Sequence, residues 1–398
     1  MDRIKIINGR VITPYRIMEN AGVIIENGKI SLLFQGDAPP GDCHVIDAGG
    51  MYVSPGFIDI HTHGGGGHDF MDGTADAFLG AARMHAQHGT TSMVPTTLAG
   101  ANESLQKTFK AYEEARLTNK TGARFLGLHL EGPYFAVAQK GAQDERYIRN
   151  PDPAEYAEIL KWSGDIVRWS AAPELEGSPE FGRCLRERGI LASVAHSDAV
   201  YEQVLEAFEN GFTHVTHLYS GMSGVRRINA RRYAGVIESA FLIDAMTVEI
   251  IADGVHLPSS LLKLVYKIKG PDRIALVTDS MRAAGMPEGE SVLGSLDGGL
   301  RVIVEDGAAK LPDRTAFAGS VATADTLVRT MVKEAEVPLA EAVRMMTATP
   351  ARILGLDRVR GCIAPGMDAD IAVFDADIQV RMTMIGGTVV EEFHCAHK

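Results

Sequence analysis

The sequence predicts an α/β fold, a (β/α)8 TIM-like barrel with a small β-sandwich domain formed from both chain termini. Eight near-continuous apolar segments alternate with helical stretches through the middle of the chain, which is typical of a parallel barrel. Both ends of the chain consist instead of short apolar strands separated by Gly, Asn and Asp. Most of the apolar segments finish on His, Asp or Glu, which favours a functional site at the carboxyl ends of the strands.

The β domain is predicted from the two ends of the sequence. "IKIINGRVIT" and "GVIIENGKISLLFQG" contain Asn8-Gly9 and Asn27-Gly28, which predict tight turns between apolar strands. "GCIAPGMDADIAVFDADIQVRMTMIGGTVV", near the other end, has the same texture of short strands separated by Gly and Asp. Because strands from the two ends can pair, we predict one small domain over residues 1–54 and 357–398, and a catalytic barrel over residues 55–356.

The barrel is predicted from eight strand segments that share an apolar character. In chain order they are "GFIDIHTH", "TSMVPTT", "RFLGLHLEG", "VRWSAAPE", "LASVAHS", "HVTHLYS", "VEIIADGVH" and "RIALVTDS". Helical spacing of apolar residues lies between them, for example in "ADAFLGAARMHAQHG" and "YEQVLEAFENG". Because the carboxyl ends of barrel strands meet at one rim, we expect residues far apart in sequence to converge there.

Composition and charge exclude several classes of function. The 398 residues carry a formal net charge of −12, which would repel phosphate backbones, so we expect no nucleic-acid partner. No apolar run approaches the ~20 residues of a membrane span, and no signal-peptide pattern opens the sequence. The 4 cysteines are scattered without a CxxC pair, which favours free thiols in a reducing compartment and a cytoplasmic location.

Two histidines stand one residue apart at the end of the first barrel strand. Side chains alternate faces along a strand, so His61 and His63 point the same way and can ligate one ion. Imidazole nitrogen and carboxylate oxygen suit Zn²⁺ or Fe²⁺. We predict two divalent metal ions, with one glutamate bridging them; the ligands are His61, His63 and Asp279 for the first ion, His196 and His217 for the second, and Glu131 as the bridge. For any one of these histidines alone, a hydrogen-bonded core residue is the favoured interpretation, whereas the set ordered at successive strand ends favours metal binding.

Several motifs resemble a known family. "PGFIDIHTHG", "HLEGPYF", "AHSDA", "THLYSGM", "IADGVH" and "VTDSM" resemble the amidohydrolase superfamily and, within it, the N-acetylglucosamine-6-phosphate deacetylases. The resemblance spans nearly the whole chain, including "GCIAPGMDADIAVFD" near its end. It implies metal-dependent hydrolysis of an acetamide to acetate and an amino sugar. Some family members lack the HxH pair and carry a single metal, whereas this chain keeps the pair, so the resemblance implies two metals.

The resemblance also implies roles for individual residues. Asp279 would take a proton from water and pass it to the departing amine, in addition to its role as a metal ligand. His256 would stabilise the oxyanion together with a metal ion. The segment "FAGSVATAD", residues 317–325, would line the substrate with Ala318, Gly319 and Ser320. The same segment looks like the start of a helix, for which Ser320 would be the cap.

A basic loop and nearby polar groups are expected to bind the sugar phosphate. "SGVRRINARRYAG" is rich in arginine, and the resemblance matches Arg232 to an arginine that reaches the phosphate across a homodimer interface. Ser220-Gly221 stands where the family has Asn-Ala, and amides near Gly221 could still donate to phosphate. Gln143 stands where the family contacts the sugar with His or Gln. A solvated loop or a dimer contact would also explain the arginines, and an exposed loop would explain the glutamine.

Two kinds of alternative stay open from the sequence. The same scaffold could hydrolyse N-acetylgalactosamine 6-phosphate, an unphosphorylated acetamido sugar or an N-acyl amino acid, because barrels host many chemistries. A catalytically silent barrel used for assembly is the alternative from another class, but silent relatives are expected to lose ligands that this chain retains. The expected partners are an amino-sugar phosphate and a second copy of the chain, with no membrane and no nucleic acid.

Overall fold

A ring of parallel strands forms the centre of the structure, a computed structural model that describes residues 3–392. Its eight strands are Phe57–Thr62, Thr90–Pro95, Leu128–Glu131, Ile166–Ala171, Leu191–Val194, Phe212–Val215, Thr247–Ile250 and Ile274–Leu276, with a short strand Arg124–Phe125 before the third. Successive strands pair in parallel from the first to the last. Each strand overlaps one of the segments predicted from the sequence, so the predicted parallel barrel is confirmed.

Backbone hydrogen bonds close this ring at the carboxyl ends of the strands. The Asp279 amide, just after the eighth strand, donates to the His61 carbonyl of the first strand at 2.9 Å. The Thr97 amide donates to the His129 carbonyl at 3.0 Å and joins the second strand to the third. Residues from opposite ends of the barrel sequence are therefore neighbours at the rim.

A helix follows each barrel strand and covers the outside of the barrel. These helices are Ala75–Gln87, Asn102–Thr118, Pro153–Trp162, Ser178–Glu187, Tyr201–Glu209, Val236–Leu242, Ser259–Lys269 and Ala324–Lys333; Leu339–Met345 and Ala348–Ile353 come after them, and short 3-10 helices lie at Phe70–Asp72, Val137–Gln139 and Glu145–Tyr147. In the first helix, Thr74 caps the Ala77 amide, and Phe78 and Ala81 are buried against the barrel. The helices predicted in residues 75–89 and 201–211 are confirmed.

Strands from both termini form one eight-stranded sheet beside the barrel. They are Arg3–Ile12, Ile17–Glu26, Lys29–Gln35, His44–Asp47, Tyr52–Pro55, Ile371–Phe374, Val380–Ile385 and Thr388–Glu392. Tyr52–Pro55 joins the two ends of the chain, because it pairs with both Arg3–Ile12 and Ile371–Phe374. Apolar side chains from both ends, among them Val23 and Val373, fill one hydrophobic cluster. Pairing between the termini is as predicted, while the sandwich and the domain bounds stay predictions.

The two predicted Asn-Gly turns have different outcomes. Asn27 and Gly28 have φ of 53° and 74° and join the strands Ile17–Glu26 and Lys29–Gln35, as predicted. The turn predicted at Asn8-Gly9 is wrong, because one strand continues through both residues with a shift in its pairing register. A Cβ on Gly9 would lie 2.6 Å from Val53 Cγ2. Glycine therefore permits a close approach at a bulge there.

Antiparallel elements that were not predicted lie after the first, sixth and eighth barrel strands. A four-stranded sheet consists of Gly289–Leu293, Leu300–Glu305, Ala308–Lys310 and Phe317–Ser320, and small hairpins consist of Gly64–Gly65 with His68–Asp69 and of Arg226–Ile228 with Arg231–Tyr233. A helix does start within residues 317–325, as predicted, but Phe317–Ser320 is a strand, so Ser320 is not its cap. The helix begins at Ala324, and Thr323 is its cap residue.

Two further expectations concern membrane-spanning helices and the cysteines. Within residues 3–392, no helix combines the length and apolar character that crossing a membrane requires. Cys43, Cys184 and Cys362 are free. Residues 393–398, which end the predicted terminal domain and include Cys395, lie outside the described residues.

Candidate metal centre and active site

A cavity of about 300 Å³ opens at the carboxyl ends of the barrel strands. Most of the predicted site residues line it: His63, Glu131, His196, His217 and Asp279 from the metal set, and Gln143, Ser220, Gly221, His256 and Gly319 from the substrate set. His61, the sixth predicted ligand, is fully buried beside them. Apolar side chains, among them Leu98, Leu293 and Phe317, complete the wall. The fold therefore brings together residues that the sequence places far apart.

The six predicted metal ligands form two groups of three. One group is His61, His63 and Asp279, the other is Glu131, His196 and His217, and within each group the ligand atoms lie within 4.8 Å of one another. Asp279 Oδ1 is 3.4 Å from His61 Nε2 and 3.2 Å from His63 Nε2. Glu131 Oε1 is 2.9 Å from His217 Nε2 and 3.6 Å from His196 Nε2. Each group could hold one divalent ion.

Glu131 lies between the two groups. Its Oε1, which faces the second group, is also 3.5 Å from His61 Nε2, and its Oε2 is 3.4 Å from His63 Nε2. This position suits the predicted bridge between two ions. Gln143 holds the same carboxylate, because its Nε2 donates to Glu131 Oε2 at 2.8 Å while its Oε1 accepts from the Ala99 amide. Imidazoles and carboxylates in these numbers are a donor set that fits two Zn²⁺ or Fe²⁺ ions.

Charges within the cluster compensate one another. Burial alone would raise the pKa of Glu131, but the surrounding histidines outweigh burial and hold that pKa well below its usual value. Burial alone would lower the pKa of His63, but hydrogen bonds to Asp279 and Glu131 raise it to about 10. The carboxylates thus remain ionised despite their burial, which is the state that ligates a cation.

Three of the ligands have a left-handed backbone at the point where their strands end. The angle φ is 45° at His196, 28° at His217 and 47° at Asp279. This region is unfavourable for residues with a Cβ and needs support from the surroundings. At Asp279 the support is visible on both sides, since its amide donates to the His61 carbonyl and its carbonyl accepts from the Ser320 amide at 2.8 Å.

Hydrogen bonds fix the orientation of two rings in the cavity wall. His256 Nδ1 is 2.7 Å from Asp253 Oδ2, and His196 Nδ1 donates to the Gln139 carbonyl at 2.9 Å. Each ring therefore keeps its Nε2 for the cavity. Gly221 makes the second arrangement possible, because a Cβ at this residue would lie 2.7 Å from His196 Nδ1.

Two charged residues beneath the ligands were not predicted from the sequence. Arg168 and Glu249 are fully buried and form an ion pair inside the barrel. Glu249 Oε2 also accepts from His61 Nδ1 at 3.1 Å. Burial alone would raise the pKa of Glu249, but Arg168, His214 and His61 outweigh it and hold that pKa well below its usual value. The available signal was a single charge within each of two apolar runs, "VRWSAA" and "VEIIA".

Three residues predicted to contact the substrate do not line the cavity. Ala318 and Ser320 lie on either side of Gly319 and are buried in the four-stranded sheet that follows the eighth barrel strand. Ser320 is not the predicted helix cap, because its Oγ donates to the Thr278 carbonyl within the sheet. Arg232 is exposed on the hairpin. Its predicted phosphate contact therefore needs a second chain or a movement of the hairpin, and it stays a prediction.

Comparisons with known proteins agree with this geometry. The amidohydrolase family profile matches residues 52–390. The N-acetylglucosamine-6-phosphate deacetylase of Lysinibacillus sphaericus is 33% identical over 375 residues, which cover 93% of this chain and 93% of that protein. The N-acetylgalactosamine-6-phosphate deacetylase of Escherichia coli O157:H7 is 31% identical over 379 residues, which cover 95% of this chain and 97% of that protein.

The fold is also similar to a solved structure. A mutant N-acetyl-D-glucosamine-6-phosphate deacetylase from Mycobacterium smegmatis, in complex with N-acetyl-D-glucosamine-6-phosphate, superposes with a TM-score of 0.89 at 30% identity. The match covers 98% of this chain and 100% of that chain. Similarity in sequence and in fold therefore extends over the terminal sheet as well as the barrel.

Proposed function

The chain belongs to the amidohydrolase family, and we propose that it hydrolyses the acetamide of N-acetyl-D-glucosamine 6-phosphate to glucosamine 6-phosphate and acetate. One observation carries this function: six potential ligands, among them the acid–base candidate Asp279, converge with His256 on a single cavity. Relatives named for this activity match 93% or more of both chains, which supports the same reaction here.

Two divalent ions would occupy the ligand groups. Amidohydrolases are metal-dependent, and we assign one ion to each group of three, with the Glu131 carboxylate bridging them. Four imidazoles favour Zn²⁺ or Fe²⁺ over Mg²⁺ and Ca²⁺, which prefer oxygen ligands. When bound, such ions supply Lewis acidity that lowers the pKa of water and polarises the amide carbonyl.

Asp279 would move the proton that hydrolysis requires. Its Oδ1 faces His61 and His63, so Oδ2 is the oxygen that would accept a proton from the attacking water. As the C–N bond breaks, Oδ2 would pass this proton to the amine nitrogen, which regenerates the carboxylate. The acetic acid product then loses its remaining proton to solvent and leaves as acetate.

His256 is suitably placed to stabilise the oxyanion. The ring is held at Nδ1 by Asp253 at 2.7 Å and presents Nε2 to the cavity, where it would donate as Nε2–H. That N–H would donate to the amide oxygen as negative charge develops on it. Phe317 packs against the ring, with the two centroids 4.3 Å apart, and restricts its rotation.

The remaining cavity residues would hold the sugar. We assign sugar contacts to Gln143 and to the wall formed by Ser220, Gly221 and Gly319. We assign the phosphate contact to Arg232 of a second copy, because Arg232 is exposed and does not line the cavity of its own chain. This assignment makes the protein a homodimer. A small-molecule substrate and the free thiols of Cys43, Cys184 and Cys362 support a cytoplasmic location.

A second candidate substrate is N-acetylgalactosamine 6-phosphate. A relative named for that activity is 31% identical over 95% of this chain. Ser220, which lines the cavity, is also shorter than the asparagine that the family motif carries. Neither relative described above is named for an unphosphorylated acetamido sugar or an N-acyl amino acid. A silent scaffold is disfavoured because both ligand groups are intact.

Acetate release from a matched panel tests these proposals. The metal-loaded protein is assayed with N-acetylglucosamine and N-acetylgalactosamine, each with and without a 6-phosphate, and with an N-acetyl amino acid. We expect the highest kcat/KM for N-acetylglucosamine 6-phosphate. A higher value for the galactosamine epimer would replace the first candidate by the second, and equal values with and without phosphate would contradict the phosphate contact.

A further inference from the structure

Glu249 is a charged residue in an unusual place. It lies in the seventh barrel strand, Thr247–Ile250, between the apolar residues Val248 and Ile250, and it is fully buried. An unpaired carboxylate in such a place would be strongly unfavourable, so its contacts must compensate for the loss of water. Those contacts reach ligands of both metal groups.

One carboxylate oxygen of Glu249 serves both groups. Oε2 is 3.1 Å from Nδ1 of His61, a ligand in the first group. The same oxygen accepts from the backbone amide of His217, a ligand in the second group, at 3.3 Å. Glu249 also accepts the Leu218 amide on its backbone carbonyl at 2.8 Å. It therefore supports the chain where His217 has its left-handed φ of 28°.

The other oxygen is held by a buried cation. Glu249 Oε1 forms an ion pair with Arg168 and lies 3.4 Å from His214 Nε2. Arg168 is fixed in turn, because it donates to the Ile60 carbonyl at 3.2 Å and to Thr216 Oγ1 at 2.8 Å. With Arg168 on one oxygen, the carboxylate cannot rotate freely, and its second oxygen remains directed at the ligands.

A carboxylate on the distal nitrogen of a ligating imidazole has a known physical effect. It accepts the N–H, which fixes the tautomer and the plane of the ring, and it makes the other nitrogen a better donor. Applied to His61, this contact leaves Nε2 deprotonated and directed at the site that His63 and Asp279 share.

We propose that Glu249, held by Arg168, is a positioning residue that orients the ligands of both metal ions, through the His61 ring and the His217 backbone. The inference rests on the metal part of the proposed function. A competing explanation is that Glu249 only neutralises Arg168 within the barrel. The two explanations differ in what happens when both charges are removed together.

Cobalt(II) titration of metal-free protein, followed by visible absorption, separates these explanations. The double variant Arg168→Met/Glu249→Leu leaves no stranded charge, and Glu249→Gln keeps an acceptor oxygen without the charge. We expect the double variant to bind the first ion about ten- to a hundredfold more weakly than wild type, with a smaller loss for the second ion. The affinity of Glu249→Gln for the first ion is expected to lie between the affinities of wild type and the double variant. Wild-type affinities in the double variant would overturn the proposal.

A matched control distinguishes positioning from a general loss of stability. Lys269 is also a buried charge, but it lies outside the barrel, where its Nζ donates to the Ala240 carbonyl at 2.8 Å and to the Ile243 carbonyl at 3.1 Å. Lys269→Met should lower the melting temperature without changing cobalt affinity. An equal loss of affinity in this variant would contradict a specific role for Glu249.

Wild-type protein provides a measurement that does not depend on the folding of variants. In zinc-loaded protein with ¹⁵N-labelled histidine, His61 Nδ1 should carry a slowly exchanging proton. A deprotonated Nδ1 would overturn the proposal. Wild-type protein that binds fewer than two cobalt ions would overturn the metal part of the proposed function as well, whereas a failure confined to the variants would overturn this inference alone.

Discussion

The metal side of the cavity is buried and complete within one chain, whereas the proposed phosphate side is exposed and incomplete. The metal side consists of His61, His63, Glu131, His196, His217 and Asp279, and its most exposed member, Asp279, is only 8% exposed. The proposed phosphate side consists of Arg232, which lies on a surface hairpin opposite Arg227. One side is held by side chains and backbone on several barrel strands, and the other by a single short hairpin.

This contrast shows how two kinds of recognition place different demands on a fold. Metal ligation and proton transfer depend on ligand atoms held at short, defined distances. The side chains that carry these atoms are therefore buried, and further hydrogen bonds fix their orientation. A phosphate is attracted by charge over a longer range, and an arginine can approach it when the substrate binds. The protein therefore needs preorganisation on the metal side more than on the phosphate side.

Removal of the metal ions, which tests the metal side, should have the largest effect on activity. Dialysis against a strong chelator is expected to abolish acetate release, and added Zn²⁺ or Fe²⁺ to restore it. The melting temperature should fall as well, since a ligand at 100 times its Kd stabilises a protein by about 2.7 kcal/mol. Chelator already saturated with metal serves as the control. Full activity of the metal-free protein would contradict the assignment of the six ligands.

Asp279→Asn should have the next largest effect. It removes the proton acceptor while keeping the shape of the side chain, so kcat is expected to fall by about 10²- to 10⁴-fold. Metal content, measured on the same samples, should fall less than kcat does. Asp297→Asn, at an exposed carboxylate outside the metal cavity, is the matched control. A variant with nearly normal turnover would reject Asp279 as the acid–base group.

Gly221→Ala tests the contact between the cavity wall assigned to the sugar and His196 on the metal side. The new Cβ would lie 2.7 Å from His196 Nδ1 and 2.9 Å from the Gln139 carbonyl, so the hydrogen bond that orients His196 should be lost. We expect about tenfold weaker binding of the second metal ion, measured by titration. Gly141→Ala is a close control, because Gly141 has a similar φ of 55° but a Cβ there would be 3.7 Å from His196 Cε1. Equal losses in both variants would point to backbone strain rather than to the ring.

Arg232→Ala should have an effect that is confined to the phosphate side. Loss of a hydrogen bond to a charged group costs about 1.5–3 kcal/mol, which corresponds to an increase in KM of about ten- to a hundredfold for the phosphorylated sugar. KM for the unphosphorylated sugar and the metal content should stay unchanged. Arg231→Ala, which alters the neighbouring side chain on the opposite face of the strand, is the control. A similar rise in KM for both sugars would exclude an ionic contact with the phosphate.

The sequence predicted the site residues at the strand ends better than it predicted the charged residues inside the strands. The convergence of the six candidate ligands could be predicted because each stands at or just after the end of an apolar strand, and a barrel brings those ends to one rim. Arg168 and Glu249 were missed because they lie inside such strands, where an apolar pattern hides a single charge. Ser320 was misassigned as a helix cap because serine before a helical pattern fits a cap, whereas backbone pairing with Ala308 makes it part of a strand.

The sequence by itself determined the barrel, the pairing of the termini and the residues of the candidate metal site, because periodicity and the residue at each strand end are local properties. Only the tertiary structure decided which oxygen of Glu131 faces which histidine, that Glu249 contacts both ligand groups, and that Arg232 does not reach its own cavity. These features depend on distances between residues far apart in the chain, and such distances exist only after the strands have closed into a ring.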